Sequence, residues 1–267
     1  MRRTRLRHHS TANDHRRGHT VWLGALVVAL AALGPALAGC GTEDDREALQ
    51  VFAAASLTDV FADLERDFER SRPDVDVVLN LAGSSSLREQ VLEGAPADVI
   101  ATADAASMEP LLASGTVGDA EVFARNRLAI GVPAGNRAGV RGLDAFSDPD
   151  LLLGACQPGV PCGDLAADVF SVAGVQPSLD TEEPNVRALL TKIASGDLDA
   201  GIVYVTDVEA APDVEGIEIP AAAGVVTEYP IAAVSGSSQA PTADAFIAFV
   251  RSEAGREILS QQGFELP

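Results

Sequence analysis

The chain has 267 residues, with 19 Lys+Arg against 39 Asp+Glu for a formal charge of −20, and 47% of its residues are apolar. That is enough apolar mass for sizeable cores, and so acidic a body repels phosphate backbones, which excludes nucleic acid as a partner. All four His lie at positions 8, 9, 15 and 19, so a chain cleaved after them has none left for Ser-His-Asp or Cys-His catalysis, or for His-ligated zinc or haem.

Residues 1–39 carry six Arg and a single acid, Asp14, leaving 13 basic and 38 acidic residues from Cys40 onward. An apolar run, VWLGALVVALAALGPALA, fills Val21–Ala38, and Leu37-Ala38-Gly39-Cys40 follows it. A basic start, an apolar middle and a small-residue cleavage site describe a secretory signal peptide over 1–39. The Cys after Ala-Gly resembles a lipobox, in which Cys40 is acylated. A span of eighteen apolar residues also just crosses a bilayer, but Pro35 and the LAGC ending favour cleavage. Residues 40–48 are polar and acidic and read as a tether, which places the body outside the cytoplasmic membrane on a lipid anchor.

The body then alternates. Leu49–Ala55 reads as a strand, and Val60, Phe61, Leu64 and Phe68 mark one face of a helix ending at Arg72-Pro73. Asp76–Leu81 is a strand. Ala82–Ser86 is a turn, with Ser86 and Glu89 spaced as a capping box for a helix over Leu87–Leu92. Asp98–Thr102 is a strand, followed by a helix near Ala105–Ser114. This β-α-β-α-β-α order implies a parallel sheet covered by helices. Val122–Val132 reads as one long extended stretch. Leu151–Ala155 is a strand and Gly163–Gly174 a helix. Thr181–Val186 opens a helix that continues over Asn185–Ser195, and Ala200–Val205 and Gly216–Ile219 are strands. Glu228–Val234 is extended again, and Thr242–Gln262 reads as a single closing helix. The expected architecture is α/β with two lobes, 49–127 with 232–267 and 128–231, joined by a hinge of two crossing strands. Ligands of such sheets bind beyond the carboxyl ends of strands.

Those strand ends carry hydroxyls and helix starts: Ser56, the Ser84–Ser86 run, the GACQPGVPCG loop at 154–163, TEEPNV at 181–186, and Tyr204. None brings a base, a nucleophile's partner or a metal cluster, so an enzyme is not expected. Ser56 also fits a plain N-cap, the serine run a common turn, and Tyr204 a core aromatic. Asp98, Asp104 and Asp207 read as caps or cleft-edge structure, and Arg88 and Arg187 as solvated side chains beside the loops. Cys156 and Cys162 admit either a disulfide, which an oxidising compartment permits, or two reduced thiols. Several helix N-termini aimed at one point make an anion site without Lys or Arg. Burying a dianion costs tens of kcal/mol and each charge-assisted hydrogen bond returns roughly 1.5–3, so about six to eight donors are needed. Donor-only coordination suits a fully deprotonated oxyanion.

VFAAASLTDVF (51–61), AGSSSLREQVLEGAPADV (82–99), QPGVPCG (157–163), NVRALL (185–190) and GIVYVTD (201–207) together resemble the periplasmic molybdate-binding proteins (ModA type) of bacterial ABC transporters. The resemblance implies the type II periplasmic-binding-protein fold and a tetrahedral molybdate or tungstate held through its oxygens by neutral donors, with no cofactor and no metal ligated directly. It implies ligand contacts at Ser56, Ser84, Cys162, Val186 (through its N–H) and Tyr204. Some relatives carry Ala at the place of Cys162, and the preceding loop is one residue longer here. The expected function is capture of molybdate or tungstate in an interlobe cleft for a membrane permease, by a monomer anchored at Cys40. The alternative is another tetrahedral oxyanion such as sulfate.

Overall fold

The computed structural model describes residues 46–267. The expected signal peptide, the acylated Cys40 and most of the 40–48 tether lie outside the described residues. Among the described residues, no helix is long and apolar enough to cross a membrane.

The elements run β1 (Glu47–Ala54), α1 (Thr58–Ser71), β2 (Val75–Ala82), α2 (Ser84–Leu92), β3 (Val99–Ala101), α3 (Ala105–Ala113) and β4 (Glu121–Pro133). They continue with β5 (Leu153–Cys156), α4 (Pro161–Ala173), β6 (Thr181–Glu183), α5 (Val186–Ala194), β7 (Ala200–Tyr204), α6 (Val205–Ala210) and β8 (Val214–Ile217), and end with β9 (Val226–Ala233), α7 (Ala240–Val250) and α8 (Glu253–Gln261). Hydrogen-bonded neighbours order the strands β2-β1-β3-β9-β4-β7-β5-β6, with β8 also on β4. β1 is parallel to β2 and β3, and β5 is parallel to β6 and β7. β4 and β9 run antiparallel to their partners.

β1 is a continuous apolar run because both its faces are covered. Leu49, Val51 and Ala53 enter one core with Phe61, Leu64 and Phe68 of α1, whereas Phe52 enters a second layer with Leu87 of α2 and Met108 of α3. The alternation along the strand sorts the residues between the two. A separate core gathers Ile130, Val132, Leu153, Val169, Leu189, Ile202 and Tyr204.

β4 links the two cores. Its first half pairs with β9 over Glu121–Arg127, and Leu128–Gly131 pairs with β7. The register shifts between Val122 and Ala124, opposite Pro230 and Tyr229. A bulge there suits a partner strand containing a proline, which has no N–H to donate to the ladder. Tyr229 and Ile231 of β9 pack in the core of β1 and α1.

Three expectations are corrected. The serine run is the first turn of α2 rather than a turn before it, with Gly83 as the extended N-cap residue. Ser86 therefore caps nothing; its Oγ accepts from Gln90 Nε2 at 3.2 Å. Thr181–Glu183 is an edge strand beside β5 and not a helix start. The closing helix is two helices. Ser252 caps the second by accepting from the Gly255 N–H at 3.3 Å, and a Cβ at Gly255 would lie 2.4 Å from the Phe249 and Val250 carbonyl oxygens.

Candidate functional site

Each of the five expected ligand residues sits at a junction where a strand or loop meets a helix. Ser56 lies in a 3-10 turn, Ala55–Leu57, between β1 and α1. Ser84 is the first residue of α2, and Val186 is the first residue of α5. Cys162 is the second residue of α4, behind Pro161 at a position where a missing N–H costs nothing. Tyr204 ends β7 and leads into α6. Asn185 caps α5 by accepting the Ala188 N–H at 3.0 Å, while the Val186 and Arg187 N–H groups ahead of it have no acceptor within the helix.

All five line one small cavity, with Ala54, Ala55, Gly83, Ala103, Val160, Pro161 and Asn185 completing the wall. No charged side chain belongs to that lining. The cavity is about 20 Å³, on a scale where about 10–15 Å³ holds one water, so it fits one compact guest and nothing extended. A larger cavity of about 360 Å³ opens beside β8 and contains none of the five residues.

The hydroxyls are set as donors. Ser84 Oγ accepts the Ala103 N–H at 3.0 Å. Ser56 Oγ accepts from Tyr229 Oη at 3.1 Å. Tyr204 Oη is buried and has no hydrogen-bond partner among the described residues. Burial pushes the Tyr204 phenol well above its ordinary range, with Tyr229, Asp207 and Asp104 adding to the effect, so it keeps its proton. A buried donor without a partner costs about 1–3 kcal/mol unless a ligand satisfies it.

Cys156 and Cys162 are joined in a disulfide, which ties the end of β5 to the start of α4. The loop between them is held on both sides: the Gln157 N–H donates to the Glu183 carbonyl at 2.9 Å, and the Gly159 N–H to Asp164 Oδ1 at 2.8 Å.

Contacts from the two cores meet around the cavity. Ser85 Oγ donates to the Gly159 carbonyl at 2.8 Å. Arg187 pairs with Asp59, while its buried Nε has no partner among the described residues. Arg88 Nη2 lies 3.4 Å from Glu89 Oε1. Asp104 caps α3, and Asp98 accepts the Gln50 N–H at 2.7 Å, so both act as structural acceptors. Asp207 accepts the Tyr204 N–H at 3.1 Å. Lys192 donates to Glu183 and to Thr181, which holds the Glu183 carboxyl below its ordinary range and leaves that amine occupied away from the serines.

Tyr229 was not among the sequence candidates. EYPIAAV reads as a plain extended stretch, and nothing local ties position 229 to Ser56. The available signal was general: a tyrosine in a buried strand must find a partner for its hydroxyl.

Two α/β cores strung on shared antiparallel strands, with ligand-sized space where strands give way to helix starts, make the type II periplasmic-binding-protein fold. The model for bacterial extracellular solute-binding proteins matches residues 49–265, and the chain belongs to that family. It is 38% identical over 247 residues to the molybdate-binding protein ModA of Mycobacterium tuberculosis, an alignment covering 91% of this chain and 95% of that one. Among solved structures it resembles the Azotobacter vinelandii periplasmic molybdate-binding protein, at TM-score 0.71 and 20% identity over 82% of this chain and 99% of that one. It also resembles the sulfate-binding protein SubI of Mycobacterium tuberculosis, at TM-score 0.73 and 18% identity over 83% and 87%.

Proposed function

We propose that this protein is the substrate-binding component of a molybdate importer, holding one molybdate or tungstate dianion in the small cavity and presenting it to an ABC permease. It works as a binder and not as an enzyme. One observation carries the reading: Ser56, Ser84, Cys162, Val186 and Tyr204, from five separate strand or loop ends, line one cavity without a charged side chain among them. Ser56, Ser84 and Tyr204 donate O–H groups in this reading, and Cys162 and Val186 donate backbone N–H groups from the first turns of α4 and α5. These five donors fall short of the roughly six to eight that burying a dianion requires, and the N-terminal dipoles of α2, α4 and α5 supply the rest of the field at the anion. No cofactor is needed, and the metal of the ligand is reached only through its oxygens.

The two lobes close on the anion with β4 running from one to the other; β9, expected largely in a 128–231 lobe, belongs instead with the first, since it pairs with β3 and with Glu121–Arg127 and its Tyr229 and Ile231 pack in that core. Cleavage before Cys40 and its acylation hold the monomer at the outer face of the membrane, next to its permease.

Sulfate is the second reading, and the likeness to SubI favours it. The 38% identity to ModA over nearly the whole chain favours molybdate. Calorimetric titration of the mature protein with molybdate, tungstate, sulfate and phosphate decides between them. Tight molybdate binding with sulfate much weaker is the expected result, and sulfate binding as tightly as molybdate would overturn the assignment.

A further inference from the structure

Tyr229 lies on β9, 173 positions from Ser56, yet its hydroxyl donates to Ser56 Oγ at 3.1 Å. The ring is fully buried. It is fixed edge-on against Phe123 at 6.3 Å, Phe264 at 5.6 Å and Tyr204 at 6.2 Å between centroids. Burial foremost raises the phenol above its ordinary range, so the hydroxyl stays protonated at every physiological pH. Tyr229 does not belong to the cavity lining.

A serine hydroxyl has one proton and a nearly free rotor. When a fixed donor fills one of its acceptor directions, its own proton is turned away from that donor. The O–H is also polarised, because a hydroxyl that accepts a bond donates a stronger one. Ser84 is treated in the same way by the backbone N–H of Ala103. For Ser56 the corresponding donor is a side chain, which can be removed without touching the backbone.

We infer that Tyr229 is a positioning residue for the anion site, aiming the Ser56 proton into the cavity by donating to Ser56 Oγ from behind. This rests on the oxyanion-binding reading above. Tyr229 is not part of the cavity wall, so its effect on the anion passes through its neighbours, Ser56 foremost. The residue also lies on a strand that pairs with β4 where that strand leaves the first core, and its ring meets Tyr204 of the other core. The orientation of Ser56 is therefore set at the place where the two cores join.

The test is a double-mutant cycle read by calorimetry with sodium molybdate, using mature wild type, Tyr229→Phe, Ser56→Ala and the double variant. Phenylalanine keeps the ring and its aromatic contacts and removes only the hydroxyl. Tyr229→Phe is expected to weaken molybdate binding roughly five- to ten-fold. In the Ser56→Ala background the same substitution is expected to change affinity less than about two-fold. A merely structural tyrosine predicts the same loss in both backgrounds, and that result would overturn the inference. So would a Tyr229→Phe protein that binds as the wild type does. A wild type that binds neither molybdate nor sulfate defeats the functional reading itself and removes the positioning role with it.

Discussion

Gly83 and Pro184 meet across the cleft: a Cβ at Gly83 would lie 2.8 Å from the Pro184 carbonyl oxygen and 3.5 Å from Asn185 Cβ. Gly83 caps α2 on one side, and Pro184 leads into α5 on the other. Its φ of −61° is open to any residue, so the glycine is required by approach and not by backbone conformation. Ser85 to Gly159 and Arg187 to Asp59 span the same gap.

Gly83→Ala is therefore expected to leave the ligand-free protein folded while hindering closure. Molybdate affinity should fall by roughly ten-fold or more, since each 1.4 kcal/mol of obstruction is a factor of ten. The ligand-free melting temperature should stay near wild type. Calorimetry and thermal melts on the same preparation check this, and unchanged affinity would mean that the two sides do not need this approach to hold the anion.

Tyr204→Phe separates stability from binding. The Tyr204 hydroxyl is buried without a partner among the described residues, so removing it takes away an unsatisfied group and not a bond. The ligand-free variant is expected to be as stable as the wild type or more so, by up to about 1–3 kcal/mol. Its affinity for molybdate should drop by roughly ten- to a hundred-fold, the range of a lost hydrogen bond to a charged group. A variant that loses stability and keeps affinity would place this hydroxyl outside the site.

Much of this organisation is legible in the residues. Val60, Phe61, Leu64 and Phe68 mark α1, and all four are buried. The apolar run of β1 and the crossing strand β4 fall where hydrophobic patterning puts them. Ser56, Ser84 and Tyr204 stand out because polar groups at strand ends have to be used or satisfied. Other features depend on contacts between distant positions and leave no local trace. The Tyr229 bond to Ser56 spans the chain, and the Gly83 approach to Pro184 exists only once α2 and α5 face each other. The break between α7 and α8 is hidden because Arg251 and Ser252 suit a helix as well as a corner. The residues alone also leave open whether Cys156 and Cys162 are bonded, since their spacing is equally compatible with two thiols.

The disulfide contributes stability more than site geometry. A loop this short is worth about 2 kcal/mol in the chain-entropy model. The Cys156→Ser/Cys162→Ser double variant should lose about that much in urea denaturation. The loop remains tied by Gln157 to Glu183 and Gly159 to Asp164, so molybdate affinity is expected to change less than about three-fold. A large loss of affinity with little loss of stability would show instead that the bond is what places the Cys162 N–H.

Asp207 should make stability fall as pH rises. Burial pushes its carboxyl from 3.8 up to about 7, with nearby Asp59 adding to the rise and Arg187 and the Tyr204 N–H opposing it. Between about pH 4 and pH 7 the folded protein holds a proton that the unfolded chain has already released. Folding is thus favoured at the acid end of that window, and the advantage is lost as pH climbs through 7. The full swing from one carboxyl of this kind is on the order of 4 kcal/mol. Glu183 runs the other way, because its lowered carboxyl stabilises the fold above its ordinary range and that contribution is lost on acidification. The comparison is therefore made against Asp207→Asn, which keeps an oxygen for the Tyr204 N–H and does not titrate. Measured by urea denaturation, the variant should gain on the wild type by about 2–3 kcal/mol between pH 5 and pH 8. An equal difference between the two proteins at both pH values would mean that Asp207 ionises in the folded state much as it does in the unfolded chain.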